Sequence, residues 1–480
     1  MIGIIFGRAA QFLLALAMMR VATTLLSPEE MGKVSLVLTT TAFFAFFFIS
    51  PVGMFINRRL HAWRTGGVAR HYFFYYVIYL FSVSLMAAVF LYLLQLYGWR
   101  NSGMPIVWLI MLVCGSVFFS TITLTAIPSL NLLGETKKFV MLSVAMATAS
   151  FVCAALFVYM GHPLAQYWLT GQLVGQTLIG MVGVKLLFEH LQNSLEIQMP
   201  VVIQKEHLRM LFHFAWPVAI AAALGWVQAQ AYRYIMESQL GLMYLGLFVA
   251  GYGISAGLIS GFESILTTYY QPRLYRDVSS GNPPEQVRAW QAYASSVIPS
   301  LMLTVAFIMM LAPELTRLFL GEKFQSAADY LVWGGLAEAA RVLIGVYSLI
   351  AHVFMRTSWL IIPNIIGAAL SITLCALLMP KYGAAGAGVG LVLSGFAVVL
   401  SMHVLLVRYV EGGFSIRSTL MSIMFATALW GVAIGIRQLL LGTGQWSYIL
   451  QIVLIGIPYL ALQYFFLRNR ISDGALTKRA

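Results

Sequence analysis

Five ionisable residues stand inside long apolar stretches of this chain: Arg20, Arg233, Glu263, Glu338 and Arg341. A charge in hydrocarbon is costly, so each is a functional-site candidate. The three arginines favour one chemistry. A guanidinium keeps its charge at any working pH and donates paired hydrogen bonds from a planar fork, which suits a phosphate or diphosphate. Glu263 and Glu338 suit another role, holding a coupling proton or sodium ion. Gln228 and Gln230, close before Arg233, add neutral donors and acceptors that suit sugar hydroxyls. Gln11, Gln172 and Gln176 do so elsewhere, and all five suit hydrogen bonds across helices equally well. Nothing here makes a catalytic set, a metal site or a cofactor site. The eight histidines are scattered with no pair placed near a carboxylate, and Gly386, Gly388 and Gly390 follow no strand and lack the P-loop lysine.

Each candidate also has a structural reading. Arg20 lies about six residues, roughly 9 Å of helix, from the outer end of its span and can snorkel to the interface. Glu237 follows Arg233 by one helical turn and can pair with it. Glu338 precedes Arg341 on the same helix face and can neutralise it. Glu263 lies near the cytoplasmic end of its span, where snorkelling and ion binding are equally open. The outer cluster Glu314, Arg317, Glu322 and Lys323 reads as a solvated loop.

Bilayer-crossing helices must position these residues. Hydrophobic residues make up 60% of the 480 residues and charged ones 9%, more apolar surface than a water-soluble core absorbs. About 20 apolar residues cross the hydrocarbon layer as a helix. Fourteen spans are predicted, from 4–26 to 447–467. Arg20 falls in the first, Arg233 in the seventh (210–235), Glu263 in the eighth (242–268), and Glu338 with Arg341 in the tenth (326–352). The first stretch is too long for a signal-peptide core and is read as a retained helix. With the N-terminus inside, 20 of the 29 basic residues fall in inner loops and 6, including Arg100 and Arg437, in outer ones. This is the positive-inside asymmetry, and it puts both termini in the cytoplasm. It also accounts for the net charge of +13 without nucleic acid, since basic inner loops face anionic headgroups. Cys114, Cys153 and Cys375 sit within spans as small hydrophobes.

The chain repeats itself. Arg20 matches Arg233 at an offset of 213, Gly32 matches Gly246 at 214, and Arg58 matches Arg273 at 215. Gly171 matches Gly390 at 219. Six spans separate the copies, so both have the same orientation, as parallel repeats do. The expected organisation is a six-helix lobe at 1–200, a second at 205–410, and an extra helix pair with a cytoplasmic tail at 411–480. Gly253, Gly257 and Gly261, Gly171 with Gly175, and Gly386 with Gly390 have the spacing that lets helices pack closely.

Three short segments carry a resemblance. Leu26-Ser27-Pro28-Glu29-Glu30-Met31-Gly32 is similar to the turn after the first span of polysaccharide-export flippases. Leu320-Gly321-Glu322-Lys323-Phe324 and Pro380-Lys381-Tyr382-Gly383-Ala384-Ala385-Gly386-Ala387 resemble further turns of that family, which shares a superfamily with multidrug and toxic compound extrusion proteins and the peptidoglycan lipid flippase. The resemblance spans about 1–410. It implies an all-α, two-lobe transporter of the bacterial inner membrane that moves an undecaprenyl-diphosphate-linked oligosaccharide, an O-antigen or exopolysaccharide unit, to the outer leaflet. Arg20, Arg233, Arg341, Gln228 and Gln230 would then bind substrate in a cationic central cavity, and Glu263 and Glu338 would bind a coupling ion. Its partners would be the lipid-linked substrate, membrane lipids and other assembly proteins. Two alternatives stand: a cation-coupled drug exporter of the same superfamily, and a membrane polymerase or ligase. The first departs because no carboxylate is placed within an N-terminal span. The second needs a large outer loop or an acid–base cluster, and neither is present in the sequence.

Overall fold

The computed structural model describes residues 2–97, 103–192, 205–278, 283–354, 356–406, 409–410, 416–440 and 447–476. Arg100, Arg408, Lys478 and Arg479 of the charge count lie outside them. The described residues are helical, with no strand among them. Thirteen segments are long and apolar enough to cross a membrane, beginning with Pro28–Asn57. One further long helix, Ile2–Leu25, precedes them. The chain divides into two compact units, Met1–Gly246 and Leu247–Ala480.

The first unit contains α1 (Ile2–Leu25), α2 (Pro28–Phe44), α3 (Ser50–Thr65), α4 (Ala69–Leu96), α5 (Ile106–Gly115), α6 (Thr121–Leu132), α7 (Thr136–Met160), α8 (Ala165–Gln192), α9 (Lys205–Gln230) and α10 (Tyr232–Leu240). Single π-helical turns, Ala45–Ile49 and Ser116–Ser120, join α2 to α3 and α5 to α6. Tyr79 donates to the Phe48 carbonyl at 2.8 Å beside the first of these turns. One apolar core gathers Leu26, Phe44, Leu80, Leu91, Val113, Val117 and Trp168, and a second gathers Leu60, Phe73, Ile127, Leu130 and Leu187. The other face of α4 carries Phe74, Ile78, Phe81, Leu85 and Val89 exposed, a helical stripe of large apolar side chains of the kind a bilayer covers.

Helix α2 begins at Pro28, six residues ahead of the second predicted span, 34–56. Ser27 caps it by accepting from the Glu30 N–H at 3.3 Å, and Pro28 occupies the first helical turn, where its missing N–H costs nothing. Gly171 and Gly175 set α8 against the backbone of Cys153 and Ala149 on α7, closer than any Cβ allows.

The second unit is built from α11 (Leu242–Val278), α12 (Pro283–Met310), α13 (Ala312–Phe319), α14 (Ala328–Val353), α15 (Ile361–Tyr382), α16 (Ala384–Leu406), α17 (Ile416–Leu439) and α18 (Ser447–Leu476); the first turn of α11 belongs to the first unit. Gly386 and Gly390 press α16 onto Leu378 and Cys375 of α15, the same device as in α7 and α8. Gly257, by contrast, has open space around it. The close approach on α11 comes instead at Gly251, against the Ala327 carbonyl.

The final helix pair is fastened by polar contacts. Gln463 donates to the Ser300 carbonyl at 2.8 Å and to Thr304 at 3.1 Å. Arg437 grips Glu314 with two bonds, at 2.9 and 2.6 Å. Glu314 is therefore not a solvated loop residue. It is buried in the first turn of α13, where burial requires the paired cation that α17 supplies.

Candidate functional site

In the first unit Arg233 stands at the start of α10, just past the break from α9. Its Nη1 donates to Thr39 Oγ1 at 2.8 Å, its Nε to the Tyr232 hydroxyl at 3.4 Å, and its guanidinium lies 5.7 Å from the Tyr232 ring centroid. Thr39 is fully buried on α2 and passes its own proton to the Ser35 carbonyl at 2.8 Å. Trp226 donates to the Thr39 carbonyl at 3.2 Å, and Tyr234 bonds Thr40 at 2.7 Å. These contacts hold the α9–α10 break against α2. Among the described residues, every partner of Arg233 is neutral. The expected ion pair with Glu237 does not form, because the side chain turns toward α2. The half-buried guanidinium is thus met by two hydroxyls and the Tyr232 ring, and by no carboxylate among the described residues.

Gln228 and Gln230 are half-buried on the last turn of α9, and the Gln230 Oε1 is buried with no protein partner. Arg20 is half-buried near the end of α1, where its carbonyl accepts from Thr24 at 2.7 Å. The other glutamines act across or along helices: Gln176 accepts from Ser120 at 2.8 Å, Gln172 reaches the Met18 sulfur at 3.7 Å, and Gln11 accepts from Arg8 at 3.5 Å.

Sequence reasoning missed two features beside this site. Glu30 is buried in the first turn of α2. It accepts from Lys33 at 2.5 Å and from the Ala165 N–H, the first residue of α8, at 2.7 Å. A carboxylate there serves the electropositive start of α8. The second feature is reciprocal. A Cβ on Gly32 would strike the Leu242 carbonyl, and a Cβ on Gly246 would strike the Pro28 carbonyl. Pro28 and Leu242 are themselves related by the offset of 214 that relates the two glycines. Residues at the same offset thus approach one another reciprocally, each glycine against the other segment's carbonyl.

In the second unit α11 and α14 are drawn together by Gly334 against Tyr252 and by Ser255 donating to the Leu331 carbonyl at 2.6 Å. That approach joins Arg341, Glu338 and Glu263. Arg341 Nε donates to Glu338 Oε2 at 2.5 Å, and its Nη2 donates to Glu263 Oε2 at 2.7 Å. The Tyr252 hydroxyl donates to the other Glu338 oxygen at 2.8 Å. The pair within α14 is the one the spacing suggests. The link to Glu263, on another helix, is not readable from spacing.

A family model described as "Polysaccharide biosynthesis protein" matches residues 21–329. No curated protein sequence matches the chain. Among solved structures, "Lipid II flippase MurJ, inward closed conformation" superposes with a TM-score of 0.68 at 15% identity, over 98% of this chain and 99% of that one. An inward-facing "multidrug resistance MATE family transporter of the MOP superfamily" gives 0.62 at 15% identity, over 83% and 94%. At such identity the likeness is one of fold. With its apolar helices, this makes the chain a multi-pass membrane protein of transporter fold, and by its family match it belongs to the polysaccharide biosynthesis protein family.

Proposed function

We propose that the protein flips an undecaprenyl-diphosphate-linked oligosaccharide from the inner to the outer leaflet of the bacterial inner membrane by alternating access. The observation that carries this reading is Arg233, a half-buried arginine in the apolar span Arg209–Leu240 whose partners among the described residues are neutral. Leaving such a charge uncompensated is expensive unless an anion completes it. A diphosphate with its paired oxygens fits. Arg20, its repeat partner, and Arg341 complete the binding set, with Gln228 and Gln230 toward the sugars. The family match to polysaccharide biosynthesis supports a glycan cargo. The working unit is two six-helix repeats, 1–200 and 205–410, with 411–480 as an added helix pair and tail and both termini cytoplasmic.

A drug-exporter role finds less support. Glu30 is the carboxylate best placed for it in the first unit, and it is already committed to Lys33 and Ala165. For an anionic cargo the membrane potential helps, at about 2.3 kcal/mol per charge per 100 mV. A proton or sodium ion at Glu263 or Glu338 would add coupling. The test uses the full chain in proteoliposomes, with a fluorescent polyprenyl-diphosphate oligosaccharide followed by leaflet accessibility and an organic cation followed in parallel. The expected result is movement of the lipid and not the cation. Movement of the cation alone would overturn the proposal.

A further inference from the structure

We infer that Glu263 is a built-in competitor for the substrate's anionic group at Arg341 and so sets how tightly a diphosphate is held. This rests on the flippase reading above. The two carboxylates around Arg341 are not equivalent. Glu338 is an anchor: its side chain is 6% exposed, one oxygen takes Arg341 Nε and the other takes the Tyr252 hydroxyl. Glu263 is 27% exposed, and its carboxylate is held through a single oxygen, against an Arg341 side chain that is 43% exposed. On that edge of the guanidinium the further contact is a long one, Nη2 to Ser260 at 3.5 Å. The terminal edge of the fork is therefore occupied by a one-point acceptor that solvent can reach.

A phosphate presents two oxygens to the same edge and makes the stronger, bidentate bond. It would displace Glu263 while Glu338 and Tyr252 keep the guanidinium aimed. Until it arrives, Glu263 occupies the terminal edge of a guanidinium whose charge Glu338 already balances. A ligand without a strong anionic group cannot win the exchange, so the residue trades affinity for selectivity. A coupling cation bound at Glu263 would act in the same direction, by relieving Arg341 of its partner.

The test measures binding of undecaprenyl diphosphate to the purified full-length chain, beside flipping of the fluorescent probe, for wild type, Glu263→Gln and Glu263→Ala. Thermal unfolding confirms that each variant is folded. The expected result is a gain in affinity of about fivefold in both variants, the factor that matches a partly exposed ion pair of about 1 kcal/mol, with slower turnover as release slows. A gain of affinity is not what loss of a purely structural ion pair produces. Wild-type binding with unchanged or weakened binding in both folded variants would overturn the inference and leave the flippase reading intact. A wild type that neither binds nor flips the diphosphate lipid would remove that reading, and the inference with it.

Discussion

Arg233 and Arg341 are the same residue type in apolar spans, one in each unit, yet they are held in opposite ways. Arg233 is tied to the hydroxyls of Thr39 and Tyr232, with no carboxylate among its described partners. Arg341 is tied to two glutamates, which leave its cluster with one surplus negative charge when both are ionised. The difference teaches that an intramembrane arginine is not by itself an anion site. The partners decide. A guanidinium oriented by hydroxyls is ready for a ligand, whereas one clasped by carboxylates must first exchange a partner.

The largest effect that sharpens this contrast falls on stability. Arg341→Ala strands the buried Glu338 beside Glu263 and is expected to destabilise the protein by about 3 kcal/mol. Adding Glu263→Gln and Glu338→Gln should recover much of that in thermal unfolding; no recovery would show that the pairing is not what the arginine supplies. Next comes the reciprocal glycine contact. Gly246→Ala and Gly32→Ala each place a methyl on a backbone carbonyl and are expected to cost about 1–3 kcal/mol, by similar amounts if the contact is reciprocal. Markedly unequal losses would show that it is not. Arg233→Ala removes a charge and frees only the neutral hydroxyls of Thr39 and Tyr232, so stability should fall by about 1 kcal/mol while flipping is lost. The smallest effect belongs to Thr39→Val, which leaves the charge in place but releases its orientation. It should weaken lipid binding about threefold and leave thermal unfolding within about 1 kcal/mol of wild type.

Much of the contrast lies beyond what sequence alone can carry. Residue types and membrane burial were readable, because apolar runs announce spans and a charge inside one stands out. Partners were readable only within a helix, as for Glu338 and Arg341. Thr39 lies 194 residues from Arg233, and Ala165 lies 135 from Glu30, so neither contact has a local signature. The start of α2 was within reach, since Ser27-Pro28-Glu29-Glu30 is a capping sequence, but the apolar count placed the span later. Glycine spacing was an uneven guide. It held at Gly171, Gly175, Gly386 and Gly390, where a neighbouring backbone closes in, and failed at Gly257, where none does. The turn Pro380–Ala387 drew its resemblance from mechanics: Gly383 ends α15 at a positive φ of 60°, and Gly386 seats α16 on Leu378.

The central claim is that Arg233, whose described partners are neutral, carries an anionic lipid. Its most direct test compares flipping of the fluorescent polyprenyl-diphosphate oligosaccharide by wild type, Arg20→Ala, Arg233→Ala and Arg341→Ala, each reconstituted in equal amount and checked for folding. The account predicts that wild type flips the lipid and that the folded Arg233→Ala protein does not. Undiminished flipping by all three folded variants would contradict it.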